Sequence, residues 1–298
     1  MQEQLLDFLA DPHDGGALTL HAFETHLDST RDGVLLNPRT GDWYVIQDGI
    51  PTLFVHDLRP DDSAFKNRYQ SQLRALGCEI DESNRQLSGD FARIESERLA
   101  RDEQAQDYDQ MLSMKMLGAI ETPIYKYALS AETESPLFEA GCGTGRLTHL
   151  FADIAPVVVA ADMSRDSIVR NIARHHGRTR NPVHYVHCDL THLPLKDGAF
   201  GRCANAGVYE HIPSRDLRLQ FIKHARRTMC VGGTIMLSAY RYGGVTKFFE
   251  KEGEHDGGIP FFRFTPEELK TEVGTAFHVE KFINNLGIYM SMIVGRAV

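Results

Sequence analysis

Cysteine is scarce and unpaired in this chain. Cys78, Cys142, Cys188, Cys203 and Cys230 are widely spaced and form no C-x-x-C pair, which excludes a zinc knuckle or a dithiol redox couple built on adjacent thiols and leaves reduced, buried cysteines as the expectation. Long apolar runs are lacking too. The longest, near residues 157–161, is strand-sized, so no membrane-spanning helix and no membrane partner are expected. The opening MQEQLLDFLADP has neither the basic start nor the apolar core of a secretory signal, and a cytoplasmic protein is the expectation. Positive charge is in deficit: 32 Lys and Arg face 41 Asp and Glu, for a net charge of −9. A phosphate backbone calls for clustered cations, so nucleic acid is a disfavoured partner. The local basic stretches at 174–180 and 215–227 read as solvated helix faces. No G-x-x-x-x-G-K-[ST] phosphate loop and no internal repeat occur.

Within 298 residues the chain has ordinary globular composition, 42% hydrophobic and 24% charged, enough for one domain with a small appendage. Residues 1–58 hold short strand-like pieces, ALTLHAF, GVLLN and WYVIQDGIPTLF, parted by Gly, Asp, Asn and Pro turn signals, and read as a small β-rich module. Residues 59–100 turn polar, a linker and helical segment with a boundary near Pro60. Helical periodicity follows through Tyr108, Met111, Leu112, Met116 and Ile120 until Thr122-Pro123 interrupts it. From Pro136 onward, apolar β-like runs alternate with amphipathic helices, and HVEKFINNLGIYMSMIVGRAV closes the chain as two strands expected to form an antiparallel pair at the sheet edge. The fold class expected is α/β: a Rossmann-like, seven-stranded, mostly parallel sheet with helices on both faces, filling residues 101–298, plus the N-terminal β-rich domain. Thr265-Pro266-Glu267-Glu268 marks one helix start, with an N-cap, a proline at the first position and a capping-box Glu.

The segment LFEAGCGTGRL carries the chemistry. A strand ending in Glu139 leads into Gly141, Gly143 and Gly145 and then a helix, so the backbone can approach a ligand closely while the helix start offers unpaired N–H groups. The spacing lacks the third glycine position of the dinucleotide fingerprint, which favours a cofactor without phosphates. The next strand ends at Asp162, where an acid can accept from ribose hydroxyls. The third ends at Asp189-Leu190, where a carboxylate can accept from an adenine amino group and the leucine can pack on the ring.

In order and spacing, FEAGCGTGRL, VVVAADMS, CDLTHLPLKDGAF and CANAGVYEHIP resemble the motifs of class I S-adenosylmethionine-dependent methyltransferases, a likeness that spans about residues 101–298. The resemblance implies S-adenosylmethionine as cofactor. It implies Glu139, Gly141, Gly143 and Gly145 as the methionine-side loop, Asp162 with Met163 beside it as the ribose clamp, Asp189 and Leu190 at the adenine, and Asn205 beside the methyl group. The segment QAQDYDQM resembles the family's entry segment, with Tyr108 closing over the cofactor. The N-terminal LLDFLADPHDGGALTL and WYVIQDGIPTLF are similar to small zinc-ribbon proteins that activate tRNA-modifying methyltransferases. Where that family has cysteine ligands, this chain has Asp11, Asp14, Asn37 and Thr40, a set that cannot build a thiolate zinc site. A metal-free ribbon used for substrate enclosure or homodimer contact is expected.

Methyl transfer needs alignment and, for a hydroxyl or amine, a base. His211, with Glu210, lies just past the fourth strand, where the acceptor is expected. Related O-methyltransferases bind a metal through Glu-x-x-Glu-His, but the first of these positions is Gly207 here, so metal-dependent catalysis is not expected. The glycine- and aromatic-rich loop 241–260, which carries His255, reads as a mobile lid over the acceptor. The expected function is methyl transfer to oxygen or nitrogen of a small-molecule acceptor. The alternatives are an RNA or tRNA methyltransferase, suggested by the ribbon resemblance, and a non-catalytic partner subunit.

Overall fold

The computed structural model describes residues 1–55, 58–79, 87, 89–105, 112–129, 134–255 and 257–298, with only the backbone at 112–120. The chain opens with an antiparallel meander of β1 (Thr19–His26), β2 (Ser29–Leu36), β3 (Trp43–Gln47) and β4 (Ile50–Pro51). Alternation along these strands sends side chains to two places. Val34, Trp43 and Val45 pack with Phe65, Tyr69 and Leu73 of the short helices α1 (Ser63–Arg68) and α2 (Gln70–Ala75). Leu35, Tyr44 and Ile46, one residue out of phase, join the core of the larger body.

Two helices follow, α3 (Gly89–Gln104) and α4 (Leu112–Leu129). The latter runs through Pro123, where the sequence suggested a break. Its far side holds it in place: Tyr125 is fully buried, and its hydroxyl donates to the Asn205 carbonyl at 2.9 Å and lies 3.1 Å from Ser238 Oγ, so tertiary contacts offset the one backbone donor that proline removes.

The remaining elements are β5 (Leu137–Ala140), α5 (Thr148–Ile154), β6 (Val158–Asp162), α6 (Arg165–His175), β7 (Val183–His187), β8 (Phe200–Ala206), α7 (Arg215–Thr228), β9 (Met229–Tyr240), β10 (Glu252–His255), β11 (Ile259–Phe262), α8 (Pro266–Val273), β12 (Phe277–Leu286) and β13 (Met290–Ala297). Seven of these strands form one sheet in the order β12-β13-β9-β8-β5-β6-β7. β13 is antiparallel to both neighbours, and the other pairs are parallel. The expected edge pair is therefore present, as is the capped start of α8, where Thr265 Oγ1 accepts from the Glu268 N–H at 3.2 Å and a Glu268 carboxylate oxygen accepts from the Thr265 N–H at 2.9 Å.

Strand alternation again assigns the two cores. Phe138, Val159, Ile235 and Leu237 face Phe221, Ile222 and Ala225 of α7, whereas Leu137, Val158, Ala160 and Met236 face Tyr125, Leu150 and Phe151 on α4 and α5. The β7 edge is not left open. Thr52 continues it as a parallel bridge to His187, and the Leu53 N–H donates to the His187 carbonyl at 2.9 Å, so the N-terminal meander covers a sheet edge that would otherwise template pairing. Among the described residues, no helix is long and apolar enough to cross a membrane.

Arg202 on β8 is fully buried. Its guanidinium donates to the Leu129 carbonyl at 2.8 Å and the Ile154 carbonyl at 3.0 Å, and also to that of Ser135. Two of these carbonyls end helices α4 and α5, whose dipoles favour a cation there. Arg202→Met removes the charge-assisted donors and leaves buried carbonyls unsatisfied, so it should destabilise the fold by about 3 kcal/mol in chemical denaturation.

Candidate active site

The chain steps from β5 outward through β6 to β7, then returns to the other side of β5 as β8. A crevice opens at the carboxyl ends of the strands where the order reverses. The turn after β5 fills it with glycines in the left-handed region: Gly141, Gly143 and Gly145 have φ of 82°, 50° and 90°. At Gly141 a Cβ would sit 2.5 Å from Val208 Cγ2 and 2.8 Å from Val208 Cγ1, and at Gly145 it would strike Asn171 and His175. The turn is thus pressed between the loop after β8 and helix α6, and only glycine fits.

Three acids ring the crevice, each from a strand end. Glu139 closes β5 and lines the cavity with its Oε2 unpartnered among the described residues. Burial, first, pushes its carboxyl up to about 8. Asp162 ends β6 and accepts from the Gly143 N–H at 2.7 Å and the Ser164 N–H at 2.9 Å; burial still holds its carboxyl above the usual range. Asp189 follows β7, accepting from the Thr191 N–H at 3.1 Å and from His192 Nδ1 at 3.0 Å. Met163 and Leu190 line the same cavity.

Residues 138–237 match the methyltransferase domain family. The human probable tRNA methyltransferase 9B is 26% identical over 138 residues, covering 46% of this chain and 28% of the relative. A probable S-adenosylmethionine-dependent methyltransferase of Mycolicibacterium smegmatis is 32% identical over 103 residues, 34% of this chain and 37% of the relative. The chain thus spans well under half the length of these curated relatives. Among solved structures, the Burkholderia thailandensis 1,6-didemethyltoxoflavin-N1-methyltransferase, solved with 1,6-didemethyltoxoflavin and S-adenosylhomocysteine, superposes with a TM-score of 0.55 at 16% identity, over 74% of this chain and 98% of that one. The fold is that of class I S-adenosylmethionine-dependent methyltransferases.

Within this methyltransferase fold, Gly141, Gly143, Glu139, Asp162, Met163, Asp189 and Leu190 line one cavity, whereas Gly145 is packed against Asn171 and His175 of α6. Asn205 stands apart from it: fully buried, it donates from Nδ2 to the Ala140 carbonyl at 3.0 Å, so it ties β8 to β5 from below, and Ala206 and Gly207 provide the wall. Tyr108 lies outside the described residues. Helix α3, whose polar residues resemble any solvated helix in sequence, supplies Ile94, Glu97, Arg101 and Gln104 to the same cavity. The Glu97 and Arg101 side chains approach to 3.6 Å one turn apart, and burial pushes the Glu97 carboxyl up to about 7. The only signal for them in the sequence was the i, i+4 spacing of opposite charges, which exposed helices share.

The N-terminal meander is tied to the loop at Met163 through His187 of β7. His187 Nε2 faces the Met163 carbonyl at 3.0 Å and Nδ1 faces Thr52 Oγ1 at 3.1 Å. The carbonyl can only accept, so Nε2 carries the proton and the threonine hydroxyl donates to Nδ1. Burial drives this imidazole down to about 3, keeping it neutral.

Of the candidate acid-base residues, Glu210 lines a neighbouring cavity, whereas His211 and His255 are among the lining residues of neither that cavity nor the first. His211 and Glu210 lie on the short turn Tyr209–His211 after β8. The loop expected as a mobile lid is instead the β10–β11 hairpin, paired from Glu252↔Phe262 to His255↔Ile259. It closes on that turn: His211 Nδ1 is 2.8 Å from the Pro260 carbonyl, and the His255 ring lies 5.6 Å from that of His211. The carbonyl fixes the proton on Nδ1 and leaves Nε2 as the acceptor, and burial holds the imidazole neutral, well below its ordinary range.

Two measurements test this geometry. Gly141→Ala should cost about 2–4 kcal/mol, because Val208 and the turn must separate, whereas Gly143→Ala, with open space around its Cβ, should cost about 1–2 kcal/mol for its left-handed backbone alone; denaturant titration ranks them. The second uses pH. Between about 4.5 and about 8 the folded chain keeps the Glu139 proton that the unfolded chain releases, so this group's contribution to stability falls as pH rises across that window. Glu139→Gln has no such proton and should gain several degrees on the wild type between pH 5 and 8 in paired thermal melts.

Proposed function

We propose that the protein is a methyltransferase that uses S-adenosylmethionine to methylate an oxygen or nitrogen of a small-molecule acceptor. The observation that carries this reading is the cavity at the strand ends in which the glycine turn meets three separate carboxylates, Glu139, Asp162 and Asp189. Their placement at three successive strand ends suits the three polar parts of the cofactor. Glu139 is proposed to hold the methionine amino group, Asp162 the ribose hydroxyls and Asp189 the adenine amino group, with Met163 and Leu190 against the apolar faces. The methyl group would point toward the turn after β8, where neutral His211 with its free Nε2 is proposed as the base and His255 as its neighbour across the hairpin.

The N-terminal module is inferred to be a ribbon that has exchanged metal for hydrogen bonds. Asn37 Nδ2 donates to Asp11 Oδ2 at 2.9 Å and to Asp14 Oδ1 at 3.2 Å, Arg39 pairs with Asp14, and Thr40 turns away to Asp42 at 2.9 Å. Its proposed role is to cap the β7 edge and, through His187, to support the loop at Met163.

A second reading, methylation of a tRNA, draws on the human relative's printed name and the ribbon resemblance; the net charge of −9 opposes it. Filter binding to tRNA at moderate salt separates the two: retention favours the second reading, and its absence the first.

Calorimetric titration with S-adenosylmethionine and S-adenosylhomocysteine should give micromolar binding that Asp162→Ala weakens at least tenfold. No binding of either would leave a non-catalytic partner subunit as the surviving account. His211→Ala should lower turnover by about 10²–10⁴-fold with cofactor affinity unchanged; full turnover in the variant removes His211 as the base.

A further inference from the structure

A second cavity of about 830 Å³ lies beside the first and shares Ile212 and Pro213 with it. The turn after β8, the start of α7, the β10–β11 hairpin and α8 build its walls. The lining is acidic: Glu210, Glu252, Glu254, Glu267, Glu268 and Glu272 face Arg93, Arg215 and Arg218. Two of those arginines are spent on one partner, with Arg218 Nε 3.0 Å and Arg215 Nε 3.6 Å from the Glu272 carboxylate.

Glu210 differs from the other acids. It is 1% exposed, and neither Oε1 nor Oε2 has a hydrogen-bond partner among the described residues. The cations that act on it are Arg146, bonded to Glu121, and Arg101, 3.6 Å from Glu97. A buried carboxylate without donors is costly and persists where a ligand completes it. Its position fits that purpose. A Cβ placed on Gly207, which lines the cofactor cavity, would lie 3.7 Å from Glu210 Oε1, so the carboxylate stands at the junction of the two cavities. Phe261 and Phe262 line the second cavity, with the His255 ring 4.7 Å from that of Phe261. Such rings favour an organic cation over a neutral group.

We propose that the methyl acceptor is a cationic amine whose ammonium is held in this second cavity by Glu210. This rests on the methyltransferase reading above. In the transfer, the ammonium N–H proton passes to His211 Nε2, the freed nitrogen lone pair forms the bond to the methyl carbon, and the carbon–sulfur bond breaks with its electron pair remaining on sulfur. The products are S-adenosylhomocysteine, a methylated amine and a protonated imidazole that returns its proton to water. Glu210 supplies the charge that selects the cation, and His211 takes the proton.

The test uses the full chain saturated with S-adenosylhomocysteine and two probes of one shape, choline and its uncharged isostere 3,3-dimethylbutan-1-ol, titrated by calorimetry. Choline should bind at least tenfold more tightly than the alcohol. Glu210→Gln should abolish that preference, and Glu210→Asp, which keeps the charge, should retain part of it, with S-adenosylhomocysteine affinity reporting in each case that the cofactor cavity is intact. Equal affinity for the two probes, binding of neither, or a preference that survives in Glu210→Gln overturns the proposal. The wild-type comparison stands even where a variant fails to fold. Failure of S-adenosylhomocysteine itself to bind sinks the methyltransferase reading instead, a result distinct from loss of the cation preference.

Discussion

The hydrogen bond from Asn205 Nδ2 to the Ala140 carbonyl, 3.0 Å long and fully buried, holds together the two strands whose paths diverge to make the site. Beyond it β5 turns toward α5 and β8 turns toward the Tyr209–His211 turn, so the crevice between them exists only while the strand ends stay in register. Val208 pressed against Gly141 sets how closely the two turns approach. The glycine turn and the Tyr209–His211 turn are therefore held to one another by this packing contact and this polar bond. A side chain at Gly141 would disturb both sides together.

That arrangement also explains where the polar strain of the molecule lies. The buried carboxyls of Glu97, Glu139 and Glu210 are all held above their ordinary range, burial being the leading cause in each. Two other buried charges are met: Arg202 has helix-end carbonyls, and Arg218 has Glu272 with Phe262 and Phe264 across its guanidinium face. Glu139 and Glu210, both beside the crevice, keep carboxylate oxygens without a hydrogen-bond partner among the described residues. Such a distribution fits a pocket that receives positive charge from its ligands.

Legibility from sequence followed the strength of the local signal. The glycine turn and the strand-end acids were readable because backbone freedom and strand position leave a fixed order of residue types, and the seven-stranded sheet because β-α alternation has one common solution. The capped start of α8 was readable from four consecutive residues. The hairpin at 252–262 was not: β10 reads Glu-Gly-Glu-His with no apolar residue, β11 carries Pro260, and the pair is held by tertiary contacts such as His211 to the Pro260 carbonyl. Pro123 misled for the complementary reason, since the burial of Tyr125 outweighs a local break. Glu97 and Arg101 were invisible as cavity residues because nothing in a helix sequence tells which polar face will be covered.

The N-terminal meander follows from the same reasoning. A parallel sheet presents an exposed edge at β7, and the chain, whose first four strands form a sheet of their own, lays the segment at Thr52 and Leu53 along that edge. The extension is not passive, because the residue that bridges to Thr52 is the residue whose ring contacts the Met163 carbonyl. A buried, neutral imidazole with both nitrogens engaged is a rigid spacer, and its tautomer is fixed by the carbonyl it faces. The meander thereby fixes the height of the loop between β6 and α6, and Arg165 at the start of that helix adds a second tie, donating to the Gln47 carbonyl and to Asp48, each at 3.2 Å. The order of the loop at Met163 is in this way coupled to the folding of a module that lines none of the cavity itself.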